Sequence, residues 1–354
     1  MAVGERHGPE QAGARAARVR IEDVAAAAGV SMKTVSRVLN HEPNVAEPTR
    51  AQVEAAVRRL NYRPLPSARG LAGGRSYLVA MLFDNPSSNY LMEVELGLLD
   101  ACQAQHYHLM LAPLVYTAQD IVATVESLVL QLRPDGLVLT PPITDDAALL
   151  RRLDELRVPY SSVSAKEDNR RIGVVVDEFG AVCAMVEHLV ALGHRRIAHI
   201  TGHPAHGASG WRLAGYREGL RRAGIAFAPE LVAEGEFSHE SGHAAAARLL
   251  ALGERPSAIF AANDDMAAGA IAAICEAGLS VPGEVSVCGF DDTPIARQVY
   301  PALTTVRQPA REMGRVAGLQ LLREIRSRGQ GATVELPFQL QLRHSTGPAP
   351  RRRK

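Results

Sequence analysis

The spacing of apolar residues between positions 20 and 62 predicts three short helices, each buried on one side. The first apolar stripe starts at Ile21 and stops before Gly29, a residue type that commonly ends helices. Ser31 is a suitable N-cap for the second helix, and Pro48 suits the first turn of the third. Short helices joined by a Gly-containing turn are typical of the helix-turn-helix, and a plain three-helix bundle is the alternative.

The second helix has a polar, basic outer face. Lys33 and Arg37 lie four residues apart and therefore share that face. In a helix-turn-helix, the first residues of the second helix reach base edges in the major groove, which places Met32 and Lys33 for base readout. Arg37, one turn further on, is within reach of a base or a phosphate. The pattern thus predicts a DNA-binding face, and a solvated basic face is the alternative.

From residue 77 onward, apolar β-rich runs alternate with amphipathic helical runs. This alternation predicts parallel sheets covered by helices on both faces, and about 270 residues of it favour two doubly wound α/β lobes. The predicted strands are Leu78–Phe83, Gly136–Thr140, Pro159–Val163, Ile172–Val176, Ile197–Thr201, Ala258–Ala262 and Val285–Gly289. Ligands bind beyond the carboxyl ends of strands in such sheets. The polar residues found there include Asp84, Ser164, Asp177, Asn263 and Asp291.

Charge is distributed unevenly along the 354 residues. Residues 1–75 hold 12 Lys and Arg against 7 Asp and Glu, residues 351–354 are all basic, and residues 76–350 carry a net charge of −8. A basic segment on an acidic body is typical of proteins in which one small part meets a polyanion, although two solvated tails would look similar. We found no export signal or membrane span in the sequence, and the four separated cysteines indicate buried free thiols in the cytoplasm.

Two sequence features could suggest an enzyme. The string His239-Glu240-Ser241-Gly242-His243 matches the HExxH zinc-protease motif. We interpret it as a coincidence, because Ser238 is a suitable N-cap that would place His239 in a fraying first turn, and because glycine weakens a helix by about 1 kcal/mol. The adjacent Asp pairs are poor acid/base couples, since neighbouring loop residues point in different directions. We therefore expect no catalytic residue, metal or cofactor.

Six other segments of the chain together resemble the LacI/GalR (lactose-repressor) family of transcription regulators. Residues 21–71 are similar to that family's DNA-binding headpiece and hinge, and the run DVA…AGVS…TVSRVLN within them is long and specific. The likeness continues through LGHRRIAHITG (192–202), RLAGYREGL (212–220), ANDDMAAGA (262–270), VPGEVSVCGFDD (281–292) and LTTVRQP (303–309). It covers nearly the whole chain except both tails.

The resemblance implies a homodimeric repressor of carbohydrate-utilisation genes. Each subunit would give one helix-turn-helix headpiece to half of a near-palindromic operator and fold a two-lobed, periplasmic-binding-protein-like body around a small sugar-like effector. The implied domains are a disordered lead (1–19), the DNA-binding domain (20–62), a hinge (63–76), the effector-binding and dimerisation domain (77–345) and a disordered basic tail (346–354). The sequence does not decide whether effector releases DNA or promotes its binding.

The resemblance also implies which residues form each site. The residues implied to contact DNA are Met32, Lys33, Thr34, Ser36, Arg37, Arg69 and Leu71. Leu71 matches a hinge leucine that wedges into the minor groove, and apolar wedges of this kind kink the duplex. The residues expected to contact the effector are Asp84, Tyr90, Ser164, Asp177, Arg212, Phe237, Asn263 and Asp291, where Asp84 and Asp177 rest on their strand-end positions alone.

Departures from the family pattern limit what is carried over. Ser164 stands where many relatives have an acidic residue, so the recognised hydroxyl pattern could differ, and Ala46 takes a usual helix-capping position. No leucine-heptad helix follows the body, so we expect a dimer and no tetramer. A DNA-free sugar-binding protein remains an alternative function, and a zinc hydrolase using the HESGH string is another.

Overall fold

The computed structural model describes residues 19–39, 45–62, 75–116, 118–165 and 172–350. The chain divides into two compact units, residues 1–76 and 77–354. Residues 1–18 of the expected lead (1–19), most of the expected hinge, including Arg69 and Leu71, and residues 351–354 lie outside the described residues. No helix among the described residues is long and apolar enough to cross a membrane.

The described residues of the N-terminal unit form three short helices around a small apolar core. They are α1 (Ile21–Ala28), α2 (Met32–Leu39) and α3 (Glu47–Arg59). Gly29 ends α1 with a φ of +61°, a left-handed conformation that glycine adopts without strain, and the backbone N–H of Val30 bonds back to the oxygen of Ala25 at 3.1 Å. Val24, Val35 and Val53, one from each helix, are completely buried. The predicted apolar stripes therefore meet in one core.

The C-terminal unit consists of two α/β lobes. Its strands are β1 (Leu78–Phe83), β2 (His108–Pro113), β3 (Gly136–Leu139), β4 (Tyr160–Val163), β5 (Gly173–Val176), β6 (Ile197–Thr201), β7 (Val232–Glu234), β8 (Ala258–Ala261), β9 (Ser286–Asp291), β10 (Thr304–Arg307), β11 (Thr333–Leu336) and β12 (Gln339–Gln341). Its helices are α4 (Ser88–Ala104), α5 (Ile121–Leu132), α6 (Ala147–Glu155), α7 (Glu178–Ala191), α8 (Gly207–Arg222), α9 (His239–Leu250), α10 (Asp264–Glu276), α11 (Ile295–Gln298) and α12 (Ala310–Arg326).

Each lobe is built on one 6-stranded sheet. The first lobe, called the N-lobe, has the strand order β11-β5-β4-β3-β1-β2, and all its strand pairs are parallel. The second, called the C-lobe, has the order β12-β10-β9-β8-β6-β7, with only the β10–β12 pair antiparallel. The chain passes between the lobes three times, after β5, after β10 and after β11.

Several elements differ from the sequence-based expectation. The prediction missed β2, β7, β10, β11 and β12, which are short or mixed in polarity and lie toward the sheet edges, so that they lack the continuous apolar run of a central strand. The expected disordered tail is wrong for residues 346–350. There, the oxygen of Gly347 accepts a hydrogen bond from Nε2 of buried His194 at 3.0 Å, and the backbone N–H of Ala349 bonds to the oxygen of Leu192 at 2.9 Å. All four cysteines are free, but Cys275 is exposed and not buried as expected.

Candidate effector cavity and DNA-binding face

The candidate DNA-binding face is the outer side of α2. Met32, Lys33 and Arg37 are exposed there, and Thr34 and Ser36 are partly buried. Exposure of 51% is high for a methionine, so Met32 is available for an apolar contact with a ligand. The side chains predicted to read bases therefore lie together on one solvent-facing surface at the start of α2.

The N-terminus of α2 is fixed by a short hydrogen-bond network. Oγ of Ser31 accepts the backbone N–H of Thr34 at 3.2 Å and lies 2.9 Å from the Thr34 hydroxyl. This is the predicted N-cap, which satisfies a backbone donor left free at a helix start. The Thr34 hydroxyl is thus partly used by the Ser31 cap, whereas the Lys33 side chain is exposed to solvent.

The candidate effector site is a cavity between the two lobes that is partly open to solvent. It lies beyond the carboxyl ends of the strands, where ligands bind in open α/β sheets. Its lining residues are Asn85, Ser87, Tyr90, Pro141, Ser164, Glu178, His206, Ala208, Arg212, Phe237, Asn263, Asp291 and Gln308.

A buried charge network forms one wall of this cavity. Nε of Arg212 donates to Oε2 of Glu178 at 2.8 Å, and its Nη2 lies 3.8 Å from Oδ1 of Asp291. The guanidinium also donates to the backbone oxygen of Ala262 and lies over the ring of Phe290, 3.8 Å from its centroid. Because so many contacts hold the guanidinium plane, Arg212 is oriented before any effector enters.

Asp291 is shared between Arg212 and a neutral partner. Nε2 of Gln308 donates to Oδ1 of Asp291 at 2.5 Å. Burial raises the pKa of the Asp291 carboxyl above its usual range, and Arg212 and the Gln308 amide act in the opposite direction. Oε1 of Gln308 is buried without a hydrogen-bond partner among the described residues. A buried acceptor in that position favours a ligand that donates a hydrogen bond.

Aromatic side chains form the other walls. Tyr90 from the N-lobe and Phe237 from the C-lobe are both nearly buried and both line the cavity. The Phe237 ring fits because Gly202 lacks a side chain, since a Cβ atom there would lie 1.9 Å from the ring. His206 lies beside it, with ring centroids 5.1 Å apart, and burial lowers its pKa to about 4. His206 is therefore neutral near pH 7.

Asn263 lines the cavity but also has a structural role. Its Oδ1 accepts the backbone N–H of Met266 at 2.9 Å, which caps α10, and its Nδ2 donates to the backbone oxygen of Phe237 at 2.9 Å. The amide therefore ties the start of α10 to the loop that carries Phe237. One amide hydrogen and one acceptor lone pair stay available for an effector.

Six of the eight residues expected at the effector site lie together in the cavity, namely Tyr90, Ser164, Arg212, Phe237, Asn263 and Asp291. The structure corrects the placement of the other two. Asp84 accepts the backbone N–H of Tyr116 at 2.7 Å, and Asp177 is exposed and caps α7 by accepting the N–H of Gly180 at 2.8 Å. Both carboxylates satisfy backbone donors outside the cavity lining.

The expected effector set omitted five polar residues that line the cavity, namely Asn85, Ser87, Glu178, His206 and Gln308. Glu178 directly follows Asp177 in the sequence, so the strand-end argument came within one residue of it. Gln308 directly follows β10, a strand that the prediction did not include. His206 lies in the loop after β6, a strand end from which the expected set took no residue.

The HESGH string forms the first turn of α9. Ser238 caps this helix by accepting the N–H of Ser241 at 3.2 Å, and Nε2 of His243 lies 2.8 Å from Oε2 of Glu276. Gly242 allows α9 to approach α10, because a Cβ atom there would lie 2.3 Å from Cα of Met266. Among the described residues we found no group of three His, Cys, Asp or Glu side chains that could hold a metal ion.

A helix-turn-helix unit followed by two α/β lobes with a polar cavity between them defines a ligand-controlled DNA-binding regulator. Comparison with known proteins agrees with this class. Residues 20–65 match the profile of the bacterial regulatory proteins of the lacI family, and residues 186–346 match a periplasmic binding protein-like domain.

Relatives match the chain over nearly its full length. The HTH-type transcriptional repressor PurR of Erwinia tasmaniensis is 35% identical over 94% of this chain and 98% of the relative. Catabolite control protein A of Priestia megaterium is 32% identical over 93% and 99%. Among solved structures, the lac repressor dimer bound to operator and the anti-inducer ONPF is 31% identical, with a TM-score of 0.83 over 93% of this chain and 99% of that chain. A transcriptional regulator CelR–cellobiose complex is also 31% identical, with a TM-score of 0.70 over 93% and 100%.

The chain belongs to the LacI family of bacterial regulatory proteins. It is a DNA-binding transcriptional repressor with an N-terminal helix-turn-helix region and a C-terminal effector-binding domain of two α/β lobes. The family and the fold class predicted from the sequence are confirmed. Its relatives are transcriptional regulators and not enzymes.

Proposed function

We propose that this repressor controls carbohydrate-utilisation genes and that its effector is an uncharged, polyhydroxylated molecule, a sugar or sugar derivative, bound in the cavity between the lobes. The effector changes the affinity of the headpiece for its operator. The observation that carries this proposal is the composition of the cavity wall, in which paired charges and aromatic faces occur together without surplus positive charge.

The charges of the cavity argue against an anionic effector. Arg212 is the only Lys or Arg among the described lining residues, and Glu178 and Asp291 already balance it. The pKa of His206 is about 4, so this residue adds no positive charge near pH 7. A phosphate ester entering this site would meet carboxylates without a free cation, whereas hydroxyl groups can donate to carboxylates and to Gln308.

The aromatic walls suit the apolar faces of a sugar ring. Tyr90 and Phe237 come from different lobes, so a ring held between them would contact both. The 31% identical regulator CelR was solved as a cellobiose complex, which supports a carbohydrate as the ligand class for this fold. The alternative function, a sugar-binding protein that does not bind DNA, is disfavoured because the chain also carries a helix-turn-helix unit.

On the DNA side, we propose a cytoplasmic homodimer on a near-palindromic operator. The solved lac repressor dimer with operator supports this arrangement. Met32, Lys33 and Arg37 would read bases or phosphates, and Thr34 and Ser36 would support those contacts. Arg69 and Leu71, which lie outside the described residues, would contact the operator centre. No catalytic step is part of this function.

The test begins with the full-length protein and a selection of genomic DNA fragments that identifies its operator. Operator affinity is then measured by fluorescence anisotropy with neutral sugars, cellobiose first, and with the 6-phosphates of the same sugars. We expect a neutral sugar to change operator affinity and its phosphate to have no effect at the same concentration. Stronger action by the phosphates, or no response to any sugar, would contradict the proposed effector class.

A matched pair of aromatic variants tests the cavity. Phe237→Ala removes a cavity wall and should weaken binding of the active sugar about tenfold or more, as the loss of an aromatic anchor usually does. Phe227 lies in the same lobe outside the cavity, where it packs against Tyr216 and Arg217. Phe227→Ala should leave sugar affinity unchanged. Equal effects of the two variants would show that the sugar binds elsewhere.

A further inference from the structure

An acidic residue joins the two lobes at the edge of the effector cavity. Asp265 lies in the first turn of α10, in the C-lobe. Oγ of Ser87 donates to its Oδ2 at 2.5 Å, and Nδ2 of Asn89 donates to its Oδ1 at 3.0 Å. Both donors belong to the N-lobe, at the start of α4, so one carboxylate receives two hydrogen bonds across the gap between the lobes.

The C-lobe holds this carboxylate in a fixed position. Neighbouring Asp264 is fully buried, and it accepts the backbone N–H of Thr293 at 2.8 Å and the hydroxyl of Thr305 at 2.5 Å. The N-cap bond from Asn263 to Met266 secures the same turn. The first turn of α10 is thus anchored to the C-lobe, and Asp265 presents its carboxylate toward the N-lobe.

The N-lobe side of the contact is equally well defined. The backbone N–H of Ser87 donates to Oδ1 of Asn85 at 2.9 Å, and the N–H of Leu91 bonds to the oxygen of Ser87 at 3.1 Å. Ser87 is 3% exposed and lines the effector cavity together with Asn85, whereas Asn89 does not line it. Separation of the lobes would therefore break both hydrogen bonds and uncover the cavity at this edge.

We infer that Asp265 is a positioning residue for effector binding: its hydrogen bonds from Ser87 and Asn89 hold the N-lobe rim over the cavity and favour the closed arrangement that retains the effector. This inference rests on the proposed function in placing the effector in this cavity. An effector that needs the closed arrangement binds with an apparent Kd inversely proportional to the closed fraction. Hydrogen bonds to a charged group are among the stronger ones, so they can shift this fraction substantially.

Full-length Asp265→Ala, Asp265→Asn and a control, Glu335→Gln, test the inference with cellobiose as the first probe. Asp265→Ala should raise the Kd about tenfold to a hundredfold, the range expected for the loss of hydrogen bonds to a charged group. Asp265→Asn should stay within about threefold, because an amide can accept from Asn89 and donate to Ser87. Glu335 is exposed on β11 without contact to the cavity, so Glu335→Gln should match the wild type.

A double-variant comparison separates this role from general destabilisation. Asn89→Ala should weaken cellobiose binding in the wild type, although Asn89 does not line the cavity. In the Asp265→Ala background the same change should have no further effect, because its partner is already gone. A full, additive effect of Asn89→Ala in that background would overturn the inference.

A second measurement needs no effector. Amide hydrogen exchange of residues 85–91 should be faster in Asp265→Ala than in the wild type and unchanged in Glu335→Gln, since loss of the contact frees the start of α4. If no sugar binds the wild type, the proposed effector class fails while this measurement still decides the role of Asp265. Identical exchange of residues 85–91 in Asp265→Ala and the wild type would overturn the inference on its own.

Discussion

Replacement of Arg212 tests whether its positive charge stabilises the fold by neutralising the buried carboxylates of Glu178 and Asp291. Arg212, Glu178 and Asp291 are 4%, 2% and 7% exposed, respectively. Arg212→Met keeps most of the side-chain volume but leaves two buried carboxylates without their cation. Breaking a buried ion pair from one side usually costs about 3–5 kcal/mol. We therefore expect the free energy of unfolding to fall by this amount at pH 7.5.

The second variant, Arg212→Met with Glu178→Gln, removes the acid that lies 2.8 Å from the guanidinium. It should recover at least half of the lost stability, because one of the two uncompensated charges is gone. Arg221→Met is the matched control on α8. Arg221 pairs with Glu218 at 2.7 Å, but its side chain is 73% exposed, so its loss should change stability by less than about 1 kcal/mol.

Urea unfolding at a fixed protein concentration measures these differences. Trp211 is the single tryptophan of the chain and directly precedes Arg212 on α8, so its fluorescence reports on the C-lobe. The loss of unfolding free energy caused by Arg212→Met should be smaller at pH 5.5 than at pH 7.5. Burial raises the pKa of Asp291 and Arg212 opposes this effect, so without the guanidinium the Asp291 carboxyl holds a proton in the folded state that the unfolded state releases.

Two results would refute this reasoning. Arg212→Met could be as stable as the wild type at pH 7.5. This would mean that the carboxyl groups of Glu178 and Asp291 do not need the Arg212 guanidinium as a partner, because they are solvated or protonated. Alternatively, the double variant could be less stable than Arg212→Met. In that case, Glu178 would stabilise the fold through bonds other than its pairing with Arg212.

Three further predictions concern the other parts of the molecule. Lys33→Ala should lower operator affinity, measured by fluorescence anisotropy, about tenfold and leave effector binding unchanged. Arg58 is an exposed arginine on α3, and Arg58→Ala should lower operator affinity less. His199 is fully buried, and burial lowers its pKa to about 4, so its contribution to stability should fall by roughly 3 kcal/mol as the pH drops from about 6.5 to about 4. His199→Phe should reduce the pH dependence of stability in urea titrations by this amount, while the contribution of His206 remains. Gly97→Ala should destabilise the protein by about 1–3 kcal/mol, because the added Cβ atom would lie 1.7 Å from the backbone oxygen of Arg311. At Gly210 an added Cβ atom would have open space, so Gly210→Ala should stabilise the protein by up to about 1 kcal/mol. Thermal unfolding measures both changes.

The headpiece was largely predictable because its determinants are local. The apolar stripe from Ile21, the left-handed Gly29 and the Ser31 cap each act within one or two helical turns, and the structure places all three as expected. The central strands were also predictable, since each is a continuous apolar run. The edge strands were not, because β11 and β12 are short and pair with strands far away in the sequence.

The cavity was predictable in its location but not in every residue. Polar residues after strands pointed to the correct ends of the sheets, and Asn263 and Asp291 lie in the cavity. Sequence position alone could not decide between neighbours such as Asp177, which caps a helix, and Glu178, which pairs with Arg212. Which of two adjacent side chains turns inward depends on the helix start, and this is set by the packed structure.

The threefold passage of the chain between the lobes also governs how the protein can be synthesised. Strand β11 (Thr333–Leu336) completes the N-lobe sheet by pairing with β5 (Gly173–Val176), so this sheet cannot be completed until the ribosome has passed the whole C-lobe segment between them. The headpiece, in contrast, has its apolar core within residues 19–62, which are synthesised before either lobe. A nascent chain halted before β11 would thus display a folded DNA-binding unit on an unfinished body, unable to respond to effector.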